Sequence, residues 1–241
     1  MAVNGMRKLL SLIRHAVDEY NMIDEGDKIA VGLSGGKDST VLLCALSQLQ
    51  KFYPKKFELV GIAIDPKFDK IEGDYSELKA LCDSLDVPFV VKRTDLYEII
   101  FEVRKESCPC SLCSRMRRGI LHDTCKELGC NIIALGHHMD DAVETFFMNL
   151  LQNGRAECFS PMTYMSRKDL YQIRPMIYVR EKDIYKYINQ NPVPVFPKKC
   201  KADGFTTRED TKNLLADLSK KYKKLPQKVI TALKKSHISG W

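Results

Sequence analysis

Val31-Gly-Leu-Ser-Gly-Gly-Lys-Asp-Ser39 decides how the rest of the chain is read. Lys28 to Leu33 is an apolar, β-branched run that stops at a Ser34-Gly35-Gly36 turn. Thr40, Val41, Leu42, Leu43, Ala45, Leu46 and Leu49 then follow at helical spacing. A strand feeding a glycine-rich turn that opens a helix is suited to phosphate. The glycines let the backbone approach closely, successive N–H groups form an anion nest, and the helix N-terminus adds partial positive charge. A Walker A loop is excluded, because there Lys is followed by Ser or Thr, whereas Asp38 follows Lys37. An unrelated corner of tight packing would need the glycines but not the six residues together.

Outward from this loop, apolar runs alternate with helical patterns. Met6 to Tyr20 predicts an amphipathic helix, Phe57 to Ile64 a buried strand, Asp74 to Leu85 a helix and Pro88 to Val91 a strand. Leu96 to Val103 is ambiguous. Ser114 to Leu128 predicts a helix stopped by Gly129, Asn131 to Leu135 a strand, and Asp140 to Gln152 a helix ended by Gly154. This alternation argues for an α/β fold, a doubly wound and mostly parallel sheet with an N-terminal helix before it. Ligands of such sheets bind at the carboxyl ends of the strands, where Ser34 to Ser39 lies.

From Glu157 the rhythm changes. Leu170 to Ile173 predicts a strand, Glu181 to Ile188 a helix, and Pro192, Pro194 and Pro197 an extended stretch ending at Cys200. Lys198 to Lys235 carries twelve Lys or Arg against four Asp or Glu. Leu214, Leu215, Leu218 and then Val229, Ile230, Leu233 recur there at helical spacing, which predicts two basic amphipathic helices. They form either a solvated face or a surface for RNA backbone. The domain reading is therefore residues 1–195 as the nucleotide-binding unit and 196–241 as a small basic helical extension.

The bulk numbers agree with an ordinary globular chain: 241 residues, 44% hydrophobic, 29% charged. The net charge of +7 favours a polyanionic partner. No apolar run is long enough to span a membrane, and Arg14 and His15 break the one short apolar stretch near the start, so neither a membrane span nor a signal peptide is expected. Nine cysteines, an odd number, fit a reducing cytoplasm, where clustered cysteines signal metal or redox chemistry more often than disulfides.

Cys108-Pro-Cys110-Ser-Leu-Cys113 is that cluster. Cys110 and Cys113 form a C-x-x-C, able to face one metal or to close as a redox pair. A Cys₄ zinc site needs a second pair, and the chain has none. Arg115, Arg117 and Arg118 follow directly; they would lower thiol pKa values and attract RNA, or form a solvated helix face. Gly136-His137-His138-Met139-Asp140-Asp141 joins a strand end to a helix start. Asp140, Asp141 and Glu144 are expected opposite the helix's apolar side, either favouring the helix dipole or holding Mg²⁺ on a nucleotide. Cys44, Cys82, Cys125, Cys130 and Cys158 are expected to be packing residues.

Ser34-Gly35-Gly36-Lys37-Asp38-Ser39 resembles the PP-loop of the ATP-pyrophosphatases, which are adenine nucleotide alpha hydrolase-like in fold and cleave ATP to AMP and pyrophosphate. Together with Asn21-Met22-Ile23, Gly26-Asp27, Cys110 to Leu121, Gly136 to Asp141, Arg174-Pro175 and Arg180 to Asp183, nearly the whole chain resembles the tRNA 2-thiocytidine synthetase (TtcA) family. The resemblance implies a cytoplasmic ATP-dependent tRNA sulfurtransferase. ATP would activate the C2 oxygen of a cytidine in the anticodon loop, cytidine 32 in the family, and sulfur would replace it. The implied cofactors are ATP, Mg²⁺ and a 4Fe-4S cluster, with one iron open to hydrosulfide.

Carried onto this chain, Ser34, Gly35, Gly36, Lys37, Asp38, Ser39, Gly136, His137, Asp140 and Asp141 would bind nucleotide and its Mg²⁺. Asp38, Asp141, Cys110 and Cys113 would serve catalysis, and Arg115, Arg117 and Arg118 would meet tRNA. Cys110, Cys113 and Cys200 would hold the cluster. The family has a second C-x-x-C where this chain has only Phe196-Pro-Lys-Lys-Cys200, and Cys108 competes for the third position. Three thiolates suffice for a cluster with one open iron. A cysteine desulfurase or inorganic sulfide would donate sulfur, and a homodimer is the family expectation. Asp65, at a strand end, is a candidate adenine contact. The alternatives are a tRNA 2-thiouridine sulfurtransferase, a cluster-free PP-loop ligase, or a cluster-binding RNA or redox sensor without turnover.

Overall fold

A computed structural model describes residues 5–104, 109–195 and 207–241. Helix α1 (Met6–Glu19) comes first, burying Met6, Leu9, Ile13, Ala16 and Val17 along one stripe. Strand β1 (Asp27–Gly32) runs through the loop into α2 (Lys37–Gln50). Then come β2 (Phe57–Asp65), α3 (Ser76–Ser84), β3 (Phe89–Arg93), a π-helical segment (Glu98–Val103), α4 (Pro109–Glu127), β4 (Ile132–Ala134) and α5 (Met139–Asn153). The later elements are β5 (Met162–Met165), β6 (Leu170–Ile173), α6 (Glu181–Gln190), α7 (Thr207–Lys221) and α8 (Leu225–Lys235).

The six strands lie in the order β3-β2-β1-β4-β6-β5, all parallel except the edge strand β5. This is the mostly parallel sheet that the sequence predicts. Side chains of a strand alternate between its two faces, and here both faces are covered. Ile29 and Val31 pack with α1 and α2, whereas Ala30 packs with Val60, Ile62, Ile64, Ile100 and Cys125. Continuous apolar runs, rather than alternating ones, are the consequence. Chain order reverses at β1, with β2 and β3 on one side and β4 and β6 on the other. The crevice at the carboxyl ends of β1 and β4 is thus a topological switch point, the place where such sheets take ligands.

Two elements differ from expectation. Helix α4 starts at Pro109, not Ser114, so Cys110 and Cys113 lie in the helix instead of ahead of it. Proline suits a first turn, where its missing N–H would have had no partner. Strand β5 was not expected at all; its residues are partly or fully exposed and show no apolar alternation. Segment 207–241 packs onto the rest: Leu215, Val229, Ile230, Leu233 and Trp241 share one core with Ala142 and Val143 of α5. Cys44, Cys82, Cys125, Cys130 and Cys158 are all buried and free, as packing residues should be. Among the described residues no helix is long and apolar enough to cross a membrane.

Candidate active site

The loop after β1 is held by its own hydroxyls. Ser34 N–H donates to Ser39 Oγ at 3.2 Å, Gly36 N–H to Ser34 Oγ at 3.3 Å, and Ser39 Oγ to Gly36 O at 3.0 Å. Gly35 sits at φ +76°, a left-handed conformation that glycine adopts without cost. Helix α2 then begins at Lys37, so its first amides point at the loop.

Lys37 opens that helix with its ammonium 3.0 Å from Asp38 and 3.1 Å from Glu181. Burial works against its charge, but the two carboxylates outweigh it and hold its pKa above the ordinary lysine value. Glu181 shows the converse: burial would raise its pKa, yet Lys37 and Lys212 bring it below the usual range.

A second loop, from β4 to α5, presses on the first. A Cβ placed on Gly136 would stand 2.9 Å from Ser39 N and 3.0 Å from the Asp38 carbonyl carbon. Next to it, His138 caps α5: Asp141 N–H donates to His138 Nδ1 at 3.3 Å while His138 N–H donates to the Asp141 carboxylate at 3.0 Å. This reciprocal capping fixes Asp141 close to His138, whose Nε2 is 3.7 Å from Asp38 Oδ1. Asp38 Oδ1 is buried and has no hydrogen-bond partner among the described residues. His138 Nε2 also lies 3.5 Å from the Asp141 carboxylate, so it stands between Asp38 and Asp141.

Asp140 is engaged elsewhere. It pairs with Arg180 at 2.9 Å and accepts the Glu181 N–H at 2.6 Å, tying α5 to the start of α6. The His137 ring lies tilted against Phe159, ring centroids 5.1 Å apart, and Phe159 also carries the Arg174 guanidinium at 4.8 Å. Burial first, and then the positive charge of Arg174, push the His137 pKa well down, so it is neutral at pH 7. Asp65 is buried and accepts the N–H groups of Lys67 and Gly73, which commits it to shaping the turn after β2.

Between the loop and α4 lies a cavity of about 390 Å³. Ser34 and His137 of the two loops line it together with Cys113, Arg117 and Arg118 of α4 and Ile62 and Ile64 of β2. Arg115 is exposed and is not part of that lining. Cys110 lies in the first turn of α4, while Cys108 and Cys200 lie outside the described residues. His122, one of the missed residues, is buried on α4 and also lines the cavity. Only its helical spacing from Arg118, four residues earlier, could have suggested it.

Helix α7 supplies two more missed residues. Arg208 lies 3.5 Å from Asp141 and 3.6 Å from Glu144, and Lys212 lies 3.3 Å from Glu181. Although expected opposite the apolar side of α5, Glu144 is only 7% exposed, with Arg208 of α7 lying against it. Burial raises its pKa to about 7, with Arg208 opposing and Asp141 adding to the shift. A carboxyl whose folded pKa lies above its unfolded one holds its proton longer in the native state. Stability therefore falls as pH rises from about 4.5 through about 7, by up to about 3 kcal/mol. Glu144→Gln should accordingly raise the urea midpoint at pH 8 and leave it nearly unchanged at pH 4.5. An equal shift at both values would refute this assignment.

The PP-loop domain model matches residues 3–209. The chain is 39% identical over 232 residues to the tRNA-cytidine(32) 2-sulfurtransferase of Neisseria meningitidis serogroup C (strain 053442), covering 94% of this chain and 72% of the relative. It is 36% identical to the enzyme of the same name from Dechloromonas aromatica (strain RCB), covering 90% and 76%. In fold it matches the U34-tRNA thiolase NcsA from Methanococcus maripaludis, solved with its [4Fe-4S] cluster. The TM-score is 0.79 at 19% identity, over 96% of this chain and 78% of that one. A more distant likeness is the NH3-dependent NAD synthetase of Campylobacter jejuni, with a TM-score of 0.51 at 13% identity over 98% and 96%.

Proposed function

The chain belongs to the PP-loop family, alongside the tRNA-cytidine(32) 2-sulfurtransferases, and from that premise we propose that it is an ATP-dependent tRNA thiolase acting on C2 of a cytidine in the anticodon loop. One observation carries the reading. A single cavity is lined by Ser34 of the nucleotide loop and by Cys113 and Arg117 of α4. Activation and sulfur delivery then share one space, which a base from a single-stranded RNA loop can enter.

In the first step the cytidine C2 oxygen attacks the α-phosphorus of ATP. A C2–O–P bond forms, the Pα–O–Pβ bond breaks and pyrophosphate leaves. The amides of Gly35 to Ser39 and the Lys37 ammonium receive the charge of the departing pyrophosphate. Asp38 and Asp141 would hold Mg²⁺ there, because the bare Asp38 Oδ1 and the capped Asp141 converge beside His138. In the second step hydrosulfide attacks C2, the C–O bond breaks with AMP as leaving group, and a proton is released. Cys110, Cys113 and Cys200 would hold a 4Fe-4S cluster, which when bound presents deprotonated sulfur at neutral pH. Neutral His137 lines the same cavity.

Arg117 and Arg118 at the rim, and exposed Arg115 beyond it, would contact the tRNA backbone. A cysteine desulfurase or inorganic sulfide would supply sulfur in the cytoplasm, and two copies would associate as a homodimer. The decisive experiment expresses the chain in a bacterium lacking its own tRNA 2-thiocytidine enzyme and analyses digested tRNA by nucleoside mass spectrometry. A restored 2-thiocytidine peak is expected. Appearance of 2-thiouridine instead would overturn the choice of base, and no thionucleoside from soluble, iron-loaded protein would overturn the reading.

A further inference from the structure

Two cations of the basic C-terminal segment lie at the nucleotide loop instead of on a remote surface. Arg208 and Lys212 are four residues apart on α7 and so share a face. Lys212 lies 3.3 Å from Glu181, whose other oxygen is 3.1 Å from Lys37 of the loop. Arg208 lies 3.5 Å from Asp141, which is 3.5 Å from His138, which is 3.7 Å from Asp38 of the loop. The two cations thus approach the loop from α7 along two separate routes.

Exposure decides their direction of use. The Arg208 and Lys212 side chains are 44% and 46% exposed, against 17% for Asp141, 9% for Glu144 and 20% for Glu181 beneath them. The cations therefore lie on the solvent side of the acids beside the loop. Within the loop itself Lys37 is the one cation, and Asp38 and Glu181 both pair with it. Even with Mg²⁺ on Asp38 and Asp141, a triphosphate docking beside Glu144 and Glu181 would have only Lys37 of the loop to offset them. Long side chains resting on carboxylates can turn to phosphate oxygens, which arginine takes in bidentate fashion.

We propose that Arg208 and Lys212 are phosphate-binding residues that close over the β- and γ-phosphates of ATP. The proposal rests on the reading of Ser34 to Ser39 as an ATP loop. Titration calorimetry of the full chain with the magnesium salt of ATP and with AMP, at fixed ionic strength, tests both. Arg208→Met and Lys212→Met should each weaken ATP about 10-fold or more and leave AMP within twofold.

Removing Arg208 also uncovers Glu144, which by itself would repel ATP. The double variant Arg208→Met/Glu144→Gln separates the two effects: with a direct phosphate contact it stays weak. Recovery of ATP binding in the double variant, or ATP affinity within twofold of wild type in both single variants, overturns the proposal and leaves the ATP reading standing. A wild-type protein that binds neither nucleotide overturns both. Should Arg208→Met also lose AMP through misfolding, Lys212→Met decides by the same ATP criterion, since its partner Glu181 remains paired with Lys37.

Discussion

Gly136→Ala is expected to lower tRNA-dependent pyrophosphate release by about 100-fold, because a Cβ there has nowhere to go. It would stand 2.9 Å from Ser39 N and 3.0 Å from the Asp38 carbonyl carbon, both backbone atoms at the start of α2. A flexible side-chain end could swing aside; a helix N-terminus cannot move without carrying the Ser34 to Ser39 amides with it. Overpacking of this kind costs about 1–3 kcal/mol of stability, so the protein should still fold and the loss should fall on the displaced loop. Gly119→Ala is the matched control, since nothing lies within 4 Å of its Cβ position. It sits inside α4 and should gain up to about 1 kcal/mol from helix propensity. Both substitutions are read by pyrophosphate release and by urea denaturation. Gly136→Ala with release within threefold of wild type would mean that contact between the two loops does not set the loop's geometry.

Cys200→Ala, purified without oxygen, is expected to lose most of its iron and acid-labile sulfide, and Cys108→Ala to keep them. Cys110→Ala should behave like Cys200→Ala and also lose 2-thiocytidine formation. A cluster bound through three thiolates does not survive on two when the remaining iron is already open. Cys113 lines the cavity, and Cys110 lies three residues before it on α4, a spacing that makes helical neighbours. Equal iron loss in Cys108→Ala and Cys200→Ala would sink the ligand assignment. Measuring iron and sulfide per chain is enough, so the result does not depend on turnover.

How much of this was legible in the sequence depended on the range of the interactions involved. The strands β1 and β2 were plain because burial on both faces leaves uninterrupted apolar runs, and the loop was plain because its six residues are contiguous. Strand β5 escaped because an exposed edge strand carries no apolar pattern. The inclusion of Pro109 in α4 was hidden because proline reads as a breaker in a sequence, although a helix tolerates it in its first turn. Within the site, the local signals Asp38 and Asp141 could be singled out beforehand. Pairing of Lys37 with Glu181, and of Glu144 with Arg208, could not. These partners are distant in sequence and meet only because α6 and α7 pack beside the loop. The burial of Glu144 follows from the same packing, and no helical wheel of α5 alone contains it.

The position of β1 in the middle of the sheet also sets when the site can exist. Its register with β4 joins Val31 to Ala134, and the Lys28 N–H donates to Asn131 across 103 residues of chain. On a ribosome the loop emerges early, and Gly136, which must rest on it, emerges much later. Pairings separated this widely form slowly, because loop-closure entropy has to be overcome before any contact rewards it. A nascent chain halted before β4 would carry all six loop residues and yet lack a nucleotide cradle. Nucleotide capture therefore requires that the chain has been made through β4 and that β1 and β4 have paired, and nucleotide present in the cell will favour that paired state by mass action.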